Sequence, residues 1–261
     1  MFSLQITDPA EDDTSSYIST SERKSIYKPA MQILETSFLG LRSARHRLVS
    51  PGSVTSVTLF PMVHIAEQSF FDRVYADAFS HDVVLVEGVR SPVVRHLTAA
   101  YRWIEHSELG LVVQPSYPSP ETASARIVHA DLSEEEFHRE WRNVPAWLRA
   151  AAYMTAPIMG LHGRFFASRA SIASQLGLEN KPSRDEILSW DPNFEALRHC
   201  ILGARDARLI DHLRSQLDQT SPEIHRLAIV FGARHMRAVL AELGRRNFVS
   251  VESDWQTIFS L

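Results

Sequence analysis

The sequence predicts an α/β fold, a central mixed and largely parallel sheet built from two β-α-β units with an inserted helical layer. Three observations point there. Short, almost wholly apolar runs stand at Val83–Val86 and Leu227–Val230, as expected of strands covered on both faces in a parallel sheet. Two such runs, Ser56-Val57-Thr58-Leu59 and Leu227–Val230, lead into a near-repeat, Phe60-Pro61-Met62-Val63-His64 and Phe231-Gly232-Ala233-Arg234-His235. Each near-repeat is followed by apolar residues at helical spacing.

The elements follow in order. Residues 1–25 are polar, acidic and then Ser/Thr-rich, which predicts a flexible tail, and residues 26–261 form the α/β domain. Arg47-Leu48-Val49 has a β-like pattern and ends at a Pro51-Gly52 turn. Val54–Phe60 reads as a buried strand that stops at Pro61, and Ile65–Phe79 as an amphipathic helix. Asp82–Gly88 is the next strand, with Glu87 at its end; a crossover between parallel strands puts Glu87 on the same sheet edge as His64. Helical sequence to about Glu108, a short strand at Gly110–Gln114 and a Pro-rich loop come next. Ala125–Asp131 reads as a strand, after which Ser133 and Glu136 form a capping-box pair. Residues 141–190 are mostly helical, with Pro145, Pro157 and Pro182 as breaks, and are expected to cover the sheet. Phe194–Leu217 is helical and carries Arg198, Arg205, Arg208 and Arg214. The last unit runs from Leu227–Val230 through a helix at Met236–Leu243, capped by Gly244, to Phe248–Val251.

Composition narrows the function classes. A formal net charge of −4 gives no basis for nucleic acid or an anionic membrane surface as partner. The most apolar stretch, Ala150–Leu161, falls short of the ~20 residues of a membrane span, so no membrane insertion is expected and a buried helix or lid is predicted. Cys200 is the single cysteine, so no intrachain disulfide forms and a reducing, cytoplasmic setting is expected. The N-terminus has no secretory pattern. The chain contains no His-Glu-x-x-His, no Gly-x-Ser-x-Gly and neither of the common glycine-rich nucleotide loops.

The chemistry-bearing residues sit at predicted strand ends, where open α/β sheets collect ligands. His64 and His235 in matched strand–turn–helix contexts suggest a divalent metal or paired proton transfer. With Glu87 as third ligand or general base, a mixed nitrogen and oxygen site admits Mn²⁺, Co²⁺ or Zn²⁺. The competing reading makes each His a helix cap or a core residue. Burial at the end of an apolar run is expected to raise the Glu87 pKa; pairing with Arg90 or Arg205 is the alternative. Asp131 reads as an N-cap, Gln114 as a strand end, and Glu252 as a chance echo of Glu87. His81, His96 and His106 read as solvated, and Cys200 as unreactive.

In this ordered set, Val57–Gly88, Arg205–Leu213 and Ala228–Gly244, the chain resembles the TraB/PrgY/GumN family, within the group that includes the Tiki metalloproteases and the ChaN- and erythromycin-esterase-like folds. The resemblance spans most of residues 54–250 in order, though each motif is short. It implies that His64 and His235 stand for the two Gly-x-x-His histidines, Glu87 for the family Glu and Arg205 for the Arg upstream of the second motif. It further implies an α/β fold and, in some members, divalent-metal-dependent peptide-bond hydrolysis, with Arg205 stabilising an oxyanion or holding a substrate carboxylate; a surface or inter-helix ion pair is the plain alternative for Arg205. Pro61 stands where the family has Gly, and a proline has no N–H to donate. The expected function is therefore hydrolysis of peptide or amide bonds. The alternative is a non-catalytic protein that sequesters a peptide, a small ligand or haem at the same place. A pocket-completing homodimer is compatible with the helical layer.

Overall fold

The chain's most apolar runs become the middle of one sheet. The computed structural model describes residues 31–105, 108–117, 124–177, 192–218 and 225–261. Its elements are β1 (Leu34–Ser37), β2 (Gly40–Val49), β3 (Ser56–Met62), β4 (Ile65–Ala66), α1 (Gln68–Ala78), β5 (Val83–Val86), α2 (Pro92–Leu97), α3 (Ala99–Glu105), β6 (Val112–Val113) and β7 (Arg126–His129). The helical layer follows as α4 (Glu134–Asn143), α5 (Ala146–Phe166) and α6 (Arg169–Gly177). Then α7 (Pro192–Arg198) passes through a π-helical turn (His199–Gly203) into α8 (Ala204–Asp218). The chain ends with β8 (Arg226–Gly232), a 3₁₀ turn (Ala233–His235), α9 (Met236–Arg245) and β9 (Val249–Ser260).

The sheet runs β1-β2-β3-β8-β5-β7, with β9 paired to the other side of β2. Strands β3, β8, β5 and β7 are mutually parallel; β1, β2 and β9 join by antiparallel pairing. Every residue of β3 and β5 is buried, as are the five inner residues of β8 before Gly232. That is the continuous burial a covered parallel sheet demands. The fold is thus α/β as predicted, with helices packed around a mixed sheet. The decisive placement is that β8 lies between β3 and β5. Its register pairs Met62 with Gly232 and Val86 with Val230, so both near-repeats and Glu87 leave the sheet at one carboxyl edge.

Several expectations need correction. Strand β3 does not stop at Pro61 but runs to Met62. Pairing to β2 has already ended at Leu59, and the Pro61 carbonyl accepts instead from the Ser43 hydroxyl at 2.8 Å. A strand residue turns its N and C=O to the same side, so the missing N–H falls where no ladder partner stands. Ile65-Ala66 is a strand paired with Val112-Val113, not the first turn of a helix. Gly244 lies inside α9; the left-handed residue is Asn247, φ 61°. Bonds from Asn247 N–H to Gly244 O (3.1 Å) and from Phe248 N–H to Leu243 O (3.0 Å) close the helix as a Schellman motif. The Ser133–Glu136 capping box forms in both directions.

Residues 141–177 are largely helical as predicted, but Pro157 sits within α5 rather than breaking it. Pro182 and His106 lie outside the described residues. Nor is α5 a buried helix: of its 21 residues only Leu148, Gly160 and Gly163 are buried. Among the described residues no helix is long and apolar enough to cross a membrane.

Candidate functional site

His64 stands in the bend between β3 and β4. Its carbonyl accepts from the Gln114 backbone N–H at 2.9 Å, so the small β4–β6 sheet pins the turn. The side chain is exposed and its ring lies 5.1 Å from that of Tyr101. Although its surface is open, the protein packed around the ring lowers the His64 pKa; Arg205, His235 and Arg234 push the same way, and Glu87 opposes them. His64 is therefore neutral at pH 7, with its base form available.

Glu87 is held on both oxygens. Arg205 Nη2 donates to Oε1 at 2.5 Å, and the Gly232 backbone N–H donates to Oε2. Burial alone would raise its pKa, but the Arg205 guanidinium, together with His235 and His64, outweighs burial and carries it down to about 2. The expectation of a raised pKa is overturned: Glu87 is a fixed anion, not a proton carrier, because the alternative of pairing with Arg205 is what the fold builds.

Arg205 is fixed in turn by Asp131. Nε reaches Oδ1 at 2.9 Å and Nη2 reaches Oδ2 at 2.6 Å, a two-bond fork on a buried carboxylate. Asp131 also accepts from the backbone N–H groups of Gly88 (3.0 Å) and Leu132 (2.8 Å). It is thus the keystone under Glu87 rather than an N-cap; Ser133 caps α4. Arg205 is an ion-pair residue, but the pair is neither on the surface nor between helices. It joins α8 to carboxylates that follow two strands, with side chains largely buried, and its fork is not free to bind a substrate carboxylate.

His235 is buried at 3% exposure. Its ring meets Phe231 edge-on with centroids 5.2 Å apart. Nδ1 lies 2.6 Å from Asp206 Oδ1, and Nε2 faces Glu87 Oε1 at 3.9 Å. Sequence reasoning missed Asp206; its only signal is adjacency to Arg205 on a helix read as functional. The π-helical turn just before α8 shifts the helix face by an extra residue. From there Arg205 turns to Glu87 and Asp131, and Asp206 to His235.

The remaining candidates fall away from this cluster. Gln114 bonds the Tyr75 hydroxyl at 3.3 Å, and Glu252 pairs with Arg45 at 3.0 Å. His81 is not solvated but buried, its Nε2 3.0 Å from the Thr58 hydroxyl oxygen. His96 meets the Tyr153 carbonyl at 3.0 Å. Cys200 is buried, and burial pushes its thiol up to about 11, which leaves it inert. A concavity lined by Ser50, Ser53, Asp218 and Arg246 lies at the amino end of β3, the wrong edge for this chemistry, and its Arg246 is tied to Asp218 and Glu242.

In the predicted metal set of His64, His235 and Glu87, both carboxylate oxygens are engaged, by Arg205 and by Gly232. The Asp206 bond at His235 Nδ1 leaves Nε2 turned to Glu87, so an ion there would share Glu87 with Arg205 and Gly232. Among the described residues no group of three or more His, Cys, Asp or Glu is arranged to hold an ion. The chain matches no family model, no curated protein and no solved structure.

Proposed function

We propose that this protein is a hydrolase of peptide or amide bonds, TraB/Tiki-like in the ordering of its motifs, with His64 as the proton-transfer group. One observation carries the reading: at a single sheet edge one imidazole is exposed and neutral, while beside it a carboxylate is locked as an anion. A water molecule held by His64 Nε2 or Nδ1 would give up its proton to the ring as it attacks the substrate carbonyl. The imidazolium so formed is stabilised by the Glu87 charge, in the way a buried carboxylate serves a catalytic histidine. The same proton then passes to the leaving amine. Asp131 and Arg205 keep Glu87 ionised and in place. Asp206 holds the His235 ring so that Nε2 is the nitrogen left to face Glu87 or a bound substrate.

The test is turnover of a panel of chromogenic amides and peptides by wild type and His64→Ala. The variant is expected to lose about 10²–10⁴-fold in rate with an unchanged melting temperature, since the side chain is exposed. The wild-type rate should be level at pH 7 and fall only below the ordinary histidine range. No turnover by wild type, or equal rates in the two proteins, would refute it. A second reading, ligand sequestration without chemistry, is favoured by Arg205, whose guanidinium is taken up by Glu87 and Asp131 rather than left to an oxyanion. A tight complex that yields no product would select it.

A further inference from the structure

The helix that the sequence marks as most apolar is turned the wrong way round for a core element. Helix α5 packs on α3 through small residues. A Cβ added to Gly160 would come within 3.0 Å of Ala100 Cα, and one on Gly163 within 2.8 Å of Ile104. The large side chains point outward: Met154 is 66% exposed, Ile158 61%, Phe165 66% and Phe166 74%. Trp147, Met154, Ile158, Leu161 and Phe165 follow each other at helical spacing, so they share one outer stripe. Tyr153, Met159 and Phe166, also exposed, widen it on both sides, and Trp103 of α3 adjoins it at Gly160. Together they expose several hundred Å², at or above the roughly 300–600 Å² of the largest patch on a typical monomer.

Charge indicates what covers this face. From Trp141 to Gly177 there is no Asp or Glu, although the chain as a whole carries a net charge of −4. The same stretch contains Arg142, Arg149, Arg164 and Arg169. Arg169 is paired with Glu67. Arg164 instead lies against the Phe165 ring, 5.9 Å from its centroid, and Arg102 of α3 is exposed nearby. An apolar face with an aromatic residue near each end, cations along the helix's own flanks and no acidic residue on the helix itself matches the interfacial plane of an anionic bilayer. The adjoining carboxylates are Glu105 after Ile104 and Glu195 beside the Phe194 ring that meets Trp147. A partner helix would need only a narrow seam, and a second copy would bring the same cations against themselves. We propose that α5 is a monotopic docking helix that lays its Trp147–Phe165 stripe on an anionic lipid surface without crossing it. The whole-chain charge conceals this because the acidic residues lie on other elements.

The test is sedimentation of the full-length protein with vesicles of phosphatidylcholine alone and of phosphatidylcholine and phosphatidylglycerol in equal parts. Wild type is expected to sediment with the mixed vesicles and at least tenfold less with the neutral ones. The exposed-site variant Ile158→Glu/Phe165→Glu should lose binding at least tenfold with an unchanged melting temperature, and Arg164→Glu should weaken it. Brominated lipids should quench tryptophan fluorescence in wild type and less in Trp147→Leu. Failure of wild type to sediment would overturn the proposal, as would undiminished binding by the double variant. So would a dimer, seen by analytical ultracentrifugation, that Ile158→Glu dissociates in a protein that ignores vesicles.

Discussion

Replacing Glu87 by Gln probes the centre of the site with almost no change in shape. The carboxylate is buried, with its side chain 12% exposed, and its pKa lies at about 2 against an ordinary 4.5. At about 1.4 kcal/mol per tenfold change in proton affinity, that difference is about 3 kcal/mol of stability at neutral pH. Arg205 keeps Asp131 in the variant, so the loss should stay at or below the 3–5 kcal/mol typical of orphaning a buried charge. At about 2–4 °C per kcal/mol for a domain of this size, the melting temperature should fall by roughly 6–12 °C. The pH dependence is the sharper signature. Because the folded-state pKa is depressed, the contribution is complete above the unfolded value of 4.5 and is lost as pH falls towards about 2. Urea titrations of both proteins from pH 7 down to pH 3 should therefore show the gap narrowing below about 4.5. A gap under about 1 kcal/mol at pH 7, or one of equal size at pH 7 and pH 3, would refute the assignment of Glu87 as a locked anion.

Three further outcomes are expected. Asp206→Asn should lower kcat/KM about tenfold to a hundredfold, as a loosened active-site ring does, with little change in melting temperature; an unchanged rate would remove Asp206 from the site. Treatment with a chelator should leave turnover intact, because the proposed proton transfer runs through His64 with Glu87 already engaged by Arg205 and Gly232; a loss that Mn²⁺, Co²⁺ or Zn²⁺ reverses would place an ion at His64 and His235. Pro61→Gly should cost up to about 1 kcal/mol through the freer unfolded chain yet preserve turnover, since no ladder bond depends on that nitrogen; a large gain in rate would show that proline had disabled the site.

Much of the architecture was legible because it repeats at short range. The apolar runs at Val57–Leu59, Val83–Val86 and Leu227–Val230 became the covered central strands, and Ser133 with Glu136 became a capping box. Local reading failed where a neighbour from elsewhere changed the outcome. The pattern at Ile65-Ala66 suits a helix until Val112-Val113 supplies a strand partner. Gly244 looks like a helix stop, but packing of the buried Phe248 places the left-handed turn at Asn247. For α5, hydrophobicity correctly marked an unusual helix and wrongly implied burial, because Gly160 and Gly163 meet α3 while Met154, Ile158, Phe165 and Phe166 face outward.

The sequence by itself determined that His64, Glu87 and His235 would end strands, since that depends only on where apolar runs stop. Tertiary structure decided what they are. Inserting β8 between β3 and β5 set Gly232 and His235 beside Glu87, and an arginine 118 residues further along the chain fixed the charge of that carboxylate. Protonation depends on the sum of burial and every nearby charge, and that sum exists only once segments distant in sequence have been brought together.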